Sequence, residues 1–422
     1  MSEFARYEAY KDSGVEWLGE IPEHWQLIPN KYLFTEKKEI VGKKSSSYIL
    51  LSLTLNGIIA RDMVNPQGKF PAEFDTYKKV KQGNVIFCLF DIEETPRTVG
   101  LAKQDGMITG AYTVIECNER IYSNYFTYYY LSLDFDKKLK SLYTGLRKVI
   151  QRGTFLSIKS PLPPINEQER IVIFLDQKTT EIDEAIAKKQ RLIELLKEQK
   201  AILINQAVTK GLNPNVPMCN SGVEWIGEIP AHWEIIPNKF IFKEINERSK
   251  NGLEMHLSMS QKRGVVPATE VAKSLESESY EGAKLVFKND LVLNRLKAHL
   301  AVFSPSSYDG LVSPDYSVFR LRNPEYQVSF FSNLFRTPIY LAELNRRVKG
   351  IVVGFLRLYS DDFNAIPSIV PPKQEQQEIV LEINRISDEV KLLTDLTERE
   401  IEKLNEFKQT LIAHAVTGKI KV

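Results

Sequence analysis

Residues 13–34 of this chain, SGVEWLGEIPEHWQLIPNKYLF, return at 221–242 as SGVEWIGEIPAHWEIIPNKFIF, with 16 of the 22 positions identical. The offset is 208 residues, and other stretches echo at the same distance. PPINEQERIV at 163–172 is answered by PPKQEQQEIV at 371–380, and Ala207-Val208-Thr209 by Ala415-Val416-Thr417. A self-similar period of this kind restricts the fold more than any local motif does. The chain is one unit of about two hundred residues used twice. Its length of 422 residues independently suits two or more domains. Apolar residues at 43% and charged residues at 26% indicate a globular chain rather than a disordered one.

Read in order, residues 1–12 form a polar leader, followed by the repeated entrance motif. Trp17 and Trp25, with Trp225 and Trp233 in the second copy, are expected to pin an irregular packing segment. His24 and His232 are read as hydrogen-bonded structural residues beside those rings. Strand-length apolar runs follow at Tyr48–Leu53, Val85–Phe90 and Tyr112–Glu116, then at Leu257–Met259, Leu291–Leu296 and Tyr316–Leu321. The local offset in these middles wanders between about 204 and 207, so they carry insertions and deletions that the flanks lack. Each middle ends in a helical stretch and returns to the shared Pro-Pro.

After Pro163-Pro164 and Pro371-Pro372 come the longest periodic segments, each opened by acidic residues such as Glu167 and Glu169. With Leu175 at position a, the first heptad seam runs through Ile171, Leu175, Lys178, Ile182, Ala185, Lys189, Leu192, Leu196, Gln199 and Leu203 to Gln206. The second runs through Ile379, Ile383, Ile386, Val390, Leu393, Thr397, Glu400, Leu404, Phe407 and Leu411 to His414. Each segment is about 42 residues long and closes at Gly211 or Gly418. The two helices are expected to pair antiparallel, holding the modules apart and bringing residue 418 back near residue 13. The alternative is that each helix docks on its own module. The fold class is therefore α+β, two mixed β-rich globular modules separated by two long antiparallel coiled-coil helices, with a pseudo-twofold internal repeat. The divisions fall at 1–162, 163–212, 213–370 and 371–422.

Composition and motifs remove several function classes. Neither G-x-x-x-x-G-K-[ST] nor G-x-G-x-x-G after a strand is present, and no N-P-P-[FYW] tetrapeptide occurs. Cysteine and histidine are too scattered for a zinc site, so no metal is expected. Pro314-Asp315 lacks the acidic-x-Lys of a nuclease on the following strand, and Asp315 is read as structural. The three cysteines have no paired spacing, as in a reduced cytosolic protein. The first residues lack the apolar core of a secretory signal, and no apolar run approaches the ~20 residues of a membrane span. A cytoplasmic protein without catalytic residues is the expectation.

Net charge is only +2, so a nucleic-acid footprint would have to be local. Basic and polar residues do gather in the divergent middles. The first module offers Asn56, Arg61, Thr95, Arg97, Arg147, Lys148 and Arg152. The second offers Gln261, Lys262, Arg263, Arg295, Lys297, Arg346, Arg347, Lys349, Arg357 and Tyr359. Arg, Asn and Gln reach base edges bidentately, while further Lys and Arg neutralise phosphates. Two similar modules at a fixed spacing suit half-sites along duplex DNA.

Four features together resemble one family: the duplicated G-E-I-P-x-H-W, the duplicated P-P-x-x-E-Q before a long helix, the A-V-T exits, and Gly310-Leu311-Val312-Ser313-Pro314-Asp315-Tyr316. Over essentially its whole length the chain resembles the specificity subunits of type I restriction–modification systems. The resemblance implies two target-recognition domains, each reading half of a bipartite DNA site across a spacer set by the helices. It also implies two partner methyltransferase subunits that methylate adenine with S-adenosylmethionine, and restriction/translocase subunits that use ATP and Mg. This chain would bring none of these cofactors. The polar seam residues Lys189, Gln199, Thr397 and Glu400 then become candidates for partner docking, although register-setting explains them equally well. A protein-gripping double adaptor is the competing class, and salt dependence of DNA binding separates the two.

Overall fold

The computed structural model describes residues 4–63, 73–143, 148–261, 263–271, 280–350 and 356–422. It divides into two units: residues 1–190 with 398–422, and residues 191–397. Both long helices contribute to both units.

Each unit is built on a four-stranded antiparallel sheet. In the first unit the neighbours are Phe34–Lys37, Thr113–Cys117, Val85–Phe87 and Val99–Leu101. In the second they are Phe242–Ile245, Tyr316–Leu321, Leu291–Asn294 and Phe303–Pro305. Alternation along these strands covers both faces. Val85, Phe87 and Ile115 point into a core shared with the helices, while Ile86 and Val114 face a smaller core under the hairpin Leu51–Thr54/Gly57–Ala60. In the second unit Leu291, Leu293 and Phe319 face the helical core, and Val292 and Val318 face the hairpin side. Gly106 and Gly310 are required where strands meet: an added Cβ would lie 2.5 Å from Ile49 O and 2.3 Å from Met255 O respectively.

The helical side of each core is aromatic. Tyr125, Phe126, Tyr129 and Tyr130 on the helix Ser123–Phe135 are all buried. The counterpart in the second unit is broken in two, Val328–Leu334 and Pro338–Arg347, because Pro338 cannot continue the first piece. Strand ends also differ from the sequence pattern. The first strand begins at Leu51 rather than Tyr48, after a 3₁₀ turn at Gly42–Ser47, and the second stops at Phe87.

The long helices span Ile165–Lys210 and Lys373–Val416. Within the first unit they run antiparallel, since Asp183 meets Lys408 at 2.6 Å and Lys189 meets Glu400 at 2.5 Å. The buried stripe departs from the heptad frame. Inward positions include Ile171, Leu175, Thr179, Ile182, Ile186, Ile193 and Ala207, and on the second helix Ile379, Ile383, Ile386, Thr397, Leu411 and Ala415. On the first helix the steps stay 3 and 4, but every second inward position falls one residue later than expected, at Ile186 and Ile193 rather than Ala185 and Leu192. Ile379, Ile383, Ile386, Thr397 and Leu411 of the second helix keep the expected seam. Leu192, Leu203, Leu393 and Phe407 face outward, against the expectation from the sequence.

The repeated flanks form a framework repeated bond for bond. Asn30 is fully buried, donating from Nδ2 to Phe155 O at 2.9 Å and accepting from Ser160 Oγ at 2.8 Å. Asn238 does the same with Phe363 O (3.1 Å) and Ser368 Oγ (2.7 Å). Gln168 and Gln376 donate back to Pro163 O and Pro371 O, and accept from the backbone N–H of Tyr122 and Gln327. The leader is more than a polar tail. Tyr10–Asp12 pairs with Glu20–Pro22 as Met218–Asn220 pairs with Glu228–Pro230, and Lys421 N donates to Ala5 O at 2.8 Å. Gly418 closes the second helix at φ +71°, where an added Cβ would lie 2.3 Å from Pro22 Cδ. Gly418→Ala is accordingly expected to destabilise the first unit by about 2 kcal/mol. Thermal unfolding of the full chain tests this; an unchanged transition would show that the chain end is not wedged against Pro22.

Candidate nucleic-acid interface

In each module, three loops that carry the polar candidates converge. In the first, the hairpin tip at Thr54–Gly57 exposes Asn56, and Arg97 Nη1 reaches the tip beside Gly57. The loop after Phe87 is tied to the segment returning from the helical region: Asp91 N donates to Lys148 O at 2.9 Å and Ile150 N to Leu89 O at 2.8 Å. Lys148 is exposed and lies 3.1 Å from Glu94 and 3.3 Å from Glu93. Arg152 bonds Glu36 Oε2 at 2.6 Å. Thr95 is half-buried and uses its hydroxyl to close its own turn on Asp91 O. Arg61 is half-buried just past the hairpin. Arg97 makes no hydrogen bond among the described residues, and its partial burial pushes its pKa down against the pull of Asp134.

The second module repeats the convergence with different side chains. Gln261 reaches from the hairpin tip to Leu300 O at 3.4 Å, and Arg263 pairs with Glu270. Lys297 is exposed. Leu358 N donates to Arg295 O at 3.0 Å, the counterpart of the Ile150–Leu89 bond. Arg357 and Lys349 exchange two backbone bonds, and Lys349 Nζ meets Asp362 at 2.8 Å. Tyr359 is exposed at the start of the following short helix. Asp315 is itself exposed, with Arg295 and Arg357 each 3.8 Å from its carboxylate. Arg147 and Lys262 lie outside the described residues.

The paired cations are of two kinds. Exposed ion pairs contribute about 0–1 kcal/mol, so Lys148 and Arg263 can exchange a carboxylate for a phosphate at little cost, whereas Arg152 and Lys349 pair with the largely buried Glu36 and Asp362. Arg346 and Arg347 differ because they share Glu343, which is buried. Burial opposes its ionisation, but the bonds from both guanidiniums outweigh that and hold the carboxyl below its usual range. Removing either arginine would strand a buried charge. Glu36 and Glu94 come from segments distant in the chain, whereas Glu343 and Glu270 lie within a few residues of their arginines. Of the polar helix positions, Lys189 and Glu400 bind each other, Thr397 is buried with its hydroxyl on Leu393 O, and Gln199 is exposed.

No helix among the described residues is long and apolar enough to cross a membrane, and no metal-ligating cluster occurs among them. Residues 97–195 match the family described as the type I restriction modification DNA specificity domain. The MjaVIII specificity subunit of Methanocaldococcus jannaschii is 23% identical over 333 residues, covering 75% of either chain. A second subunit from that organism, described as the putative type I restriction enzyme MjaX specificity subunit, is 22% identical over 100% of this chain and 98% of its own length. The EcoKI specificity subunit of Escherichia coli is 22% identical, covering 95% of this chain and 90% of its own. Two solved structures share the fold. One, from work on assembly and conformational transition of the type I R-M system, has a TM-score of 0.65 at 14% identity, covering 94% of this chain and 98% of its own. The other, the HsdS subunit from Thermoanaerobacter tengcongensis, has a TM-score of 0.54 at 13% identity, covering 97% of this chain and 100% of its own.

The fold is that of these two solved structures, a duplicated α+β chain with two long helices. Residues 97–195 are similar to the type I restriction modification DNA specificity domain, and over its whole length the chain is similar to the putative MjaX specificity subunit.

Proposed function

We propose that this chain is the DNA sequence-recognition subunit of a type I restriction–modification complex. Each module reads one half of a bipartite site through its three converging loops. The helices, which continue from one unit into the other, set the spacing and dock two methyltransferase subunits. Adenine methylation with S-adenosylmethionine, and cleavage driven by ATP with Mg, belong to those methyltransferase and to restriction/translocase partners. The chain itself is a recognition component. The observation that carries this reading is the contrast between flanks and middles. The two modules repeat their framework hydrogen bonds residue for residue, yet set different cations and amides on the same three loops. A shared scaffold with divergent tips is what two sequence readers require.

Two measurements test it. Binding of duplex DNA by the chain with its methyltransferase partner is expected to fall about 10³-fold or more between 50 and 200 mM salt, through release of counterions from several phosphates. A flat salt response would favour a protein-gripping adaptor. A genome-wide map of N6-methyladenine, with and without the chain, is expected to lose one bipartite motif on deletion.

A further inference from the structure

The framework hydrogen bonds allow positions in the two modules to be equated without superposition. Ile150 N to Leu89 O matches Leu358 N to Arg295 O, which equates Leu89 with Arg295 and, one residue back on the other strand, Val149 with Arg357. Lys78 Nζ donates to Tyr112 O at 2.6 Å and Lys284 Nζ to Tyr316 O at 2.7 Å, which equates Ala111 with Asp315. Three positions drawn from three separate segments therefore meet at one place in each module, and their chemistry is opposite. In the second module they are Arg295, Asp315 and Arg357, with both guanidiniums 3.8 Å from one exposed carboxylate. In the first they are Leu89, Ala111 and Val149, which line a cavity of about 140 Å³ together with Phe90, Thr113 and the ion-paired Glu36 and Arg152.

We infer that this three-residue position is the principal base-reading site of each module, polar in the second and apolar in the first. The inference rests on the DNA-recognition reading above and adds which residues choose the bases. A carboxylate on a surface meant for phosphates is repelled by them, so Asp315 needs a donor to face. The side of Asp315 left open toward solvent suits the N4 amine of cytosine, while a neighbouring arginine reaches O6 and N7 of the paired guanine. The arginines also keep the carboxylate tolerable near the backbone. The apolar cavity of the first module offers no donor or acceptor from its three equated side chains. It suits the 5-methyl group of thymine, the one apolar feature of the major-groove edge. The second half-site thus requires a G·C pair, and the first an A·T pair, at the position each site contacts.

The test uses the full chain with its methyltransferase partner, reading the methylated motif across a genome for wild type, Asp315→Ala, Arg357→Lys and Ala111→Asp. Asp315→Ala and Arg357→Lys are expected to relax one G·C position of one half-site by about tenfold or more, leaving the other half-site and the spacer unchanged. Arg357→Lys keeps the charge but not the two-pronged geometry, so methylation persists while discrimination falls. Ala111→Asp fills the apolar cavity with charge and is expected to alter one A·T position of the opposite half-site only. Unchanged motifs in all three variants would overturn the inference while leaving bipartite recognition intact. Uniform weakening without loss of base preference would also overturn it, assigning these residues to phosphate contacts. Absence of any bipartite motif with the wild-type chain would instead sink the DNA-recognition reading itself.

Discussion

Glu167→Ala is expected to destabilise the first unit by about 3–5 kcal/mol, the scale of breaking a buried, charge-assisted hydrogen-bond cluster. Its side chain is only 6% exposed, and it accepts from Trp25 Nε1 at 3.1 Å and from the Tyr7 hydroxyl, with His24 Nε2 at 3.0 Å. Burial first, and the bond to Glu167 second, push the Tyr7 phenol far above its ordinary pKa, so it stays a donor at any working pH. Truncating Glu167 leaves a buried indole N–H and a phenol without their acceptor. It also removes the first-turn anion from a helix N-terminus that favours one. Glu375 repeats the arrangement with His232 at 2.8 Å and Trp233 at 2.9 Å, but it is 23% exposed and the structure gives it no tyrosine partner. Glu375→Ala is therefore expected to cost less, about 1–2 kcal/mol. Chemical denaturation of the full chain, with hydrogen exchange to locate the loss, measures both. Equal effects in the two copies would mean that burial and the Tyr7 bond contribute nothing.

That cluster explains how much of the fold was legible. The His-Trp pair of G-E-I-P-x-H-W and the Glu of P-P-x-x-E-Q were each found as repeats, and they prove to be two halves of one contact. The helical seam was less legible. Leu and Ile occur on both sides of the stripe, so a heptad frame started at Leu175 fits the composition until about Ile182. Beyond it the shared positions Lys189 and Leu196 stay half-buried, and the alternate inward position falls at Ile186 and Ile193, one residue later than the frame places it. Ile193 is buried and Leu192 exposed, and sequence alone ranks the two alike. The leader was misread for a related reason: its tyrosines are anchored by Glu167 and by Gly418 O, partners more than 150 residues away.

The candidate interface was legible in residue type but only partly in pairing. Arg152, Lys148, Arg263 and Lys349 stand on the converging loops, yet each has a carboxylate partner, which chain order hides for Arg152 and Lys148. Arg346 and Arg347 read like a basic patch in the sequence. In the structure they neutralise Glu343 at i,i+3 and i,i+4 spacing on one helix, a pairing that the sequence spacing itself offers; only the burial of Glu343 was hidden.

Replacing residues 35–160 by the chain's own residues 243–368 is expected to convert the first half-site into the second, so that the methylated motif carries the same half-site twice. The graft is feasible because the framework supplies the same sockets in both copies. Asn30, outside the exchanged segment, needs a carbonyl and a serine hydroxyl at the far end of the module. Phe363 O and Ser368 Oγ arrive in the places of Phe155 O and Ser160 Oγ. Gln168 likewise needs one backbone N–H, and Gln327 brings the one that Tyr122 gave. Bonds of three tyrosines are lost, Tyr125 to Val416 O at 3.0 Å, Tyr128 to Asp176 Oδ1 at 2.6 Å and the one that the Tyr130 hydroxyl accepts from Asn30 Nδ2 at 2.6 Å, each at a cost of about 1 kcal/mol. The effect on specificity is far larger, because every base-facing loop of the first module is exchanged at once. A motif in which both half-sites change, or neither, would show that the modules do not read independently. If only the first changes and matches the second, the flanks are the scaffold and the middles carry the code.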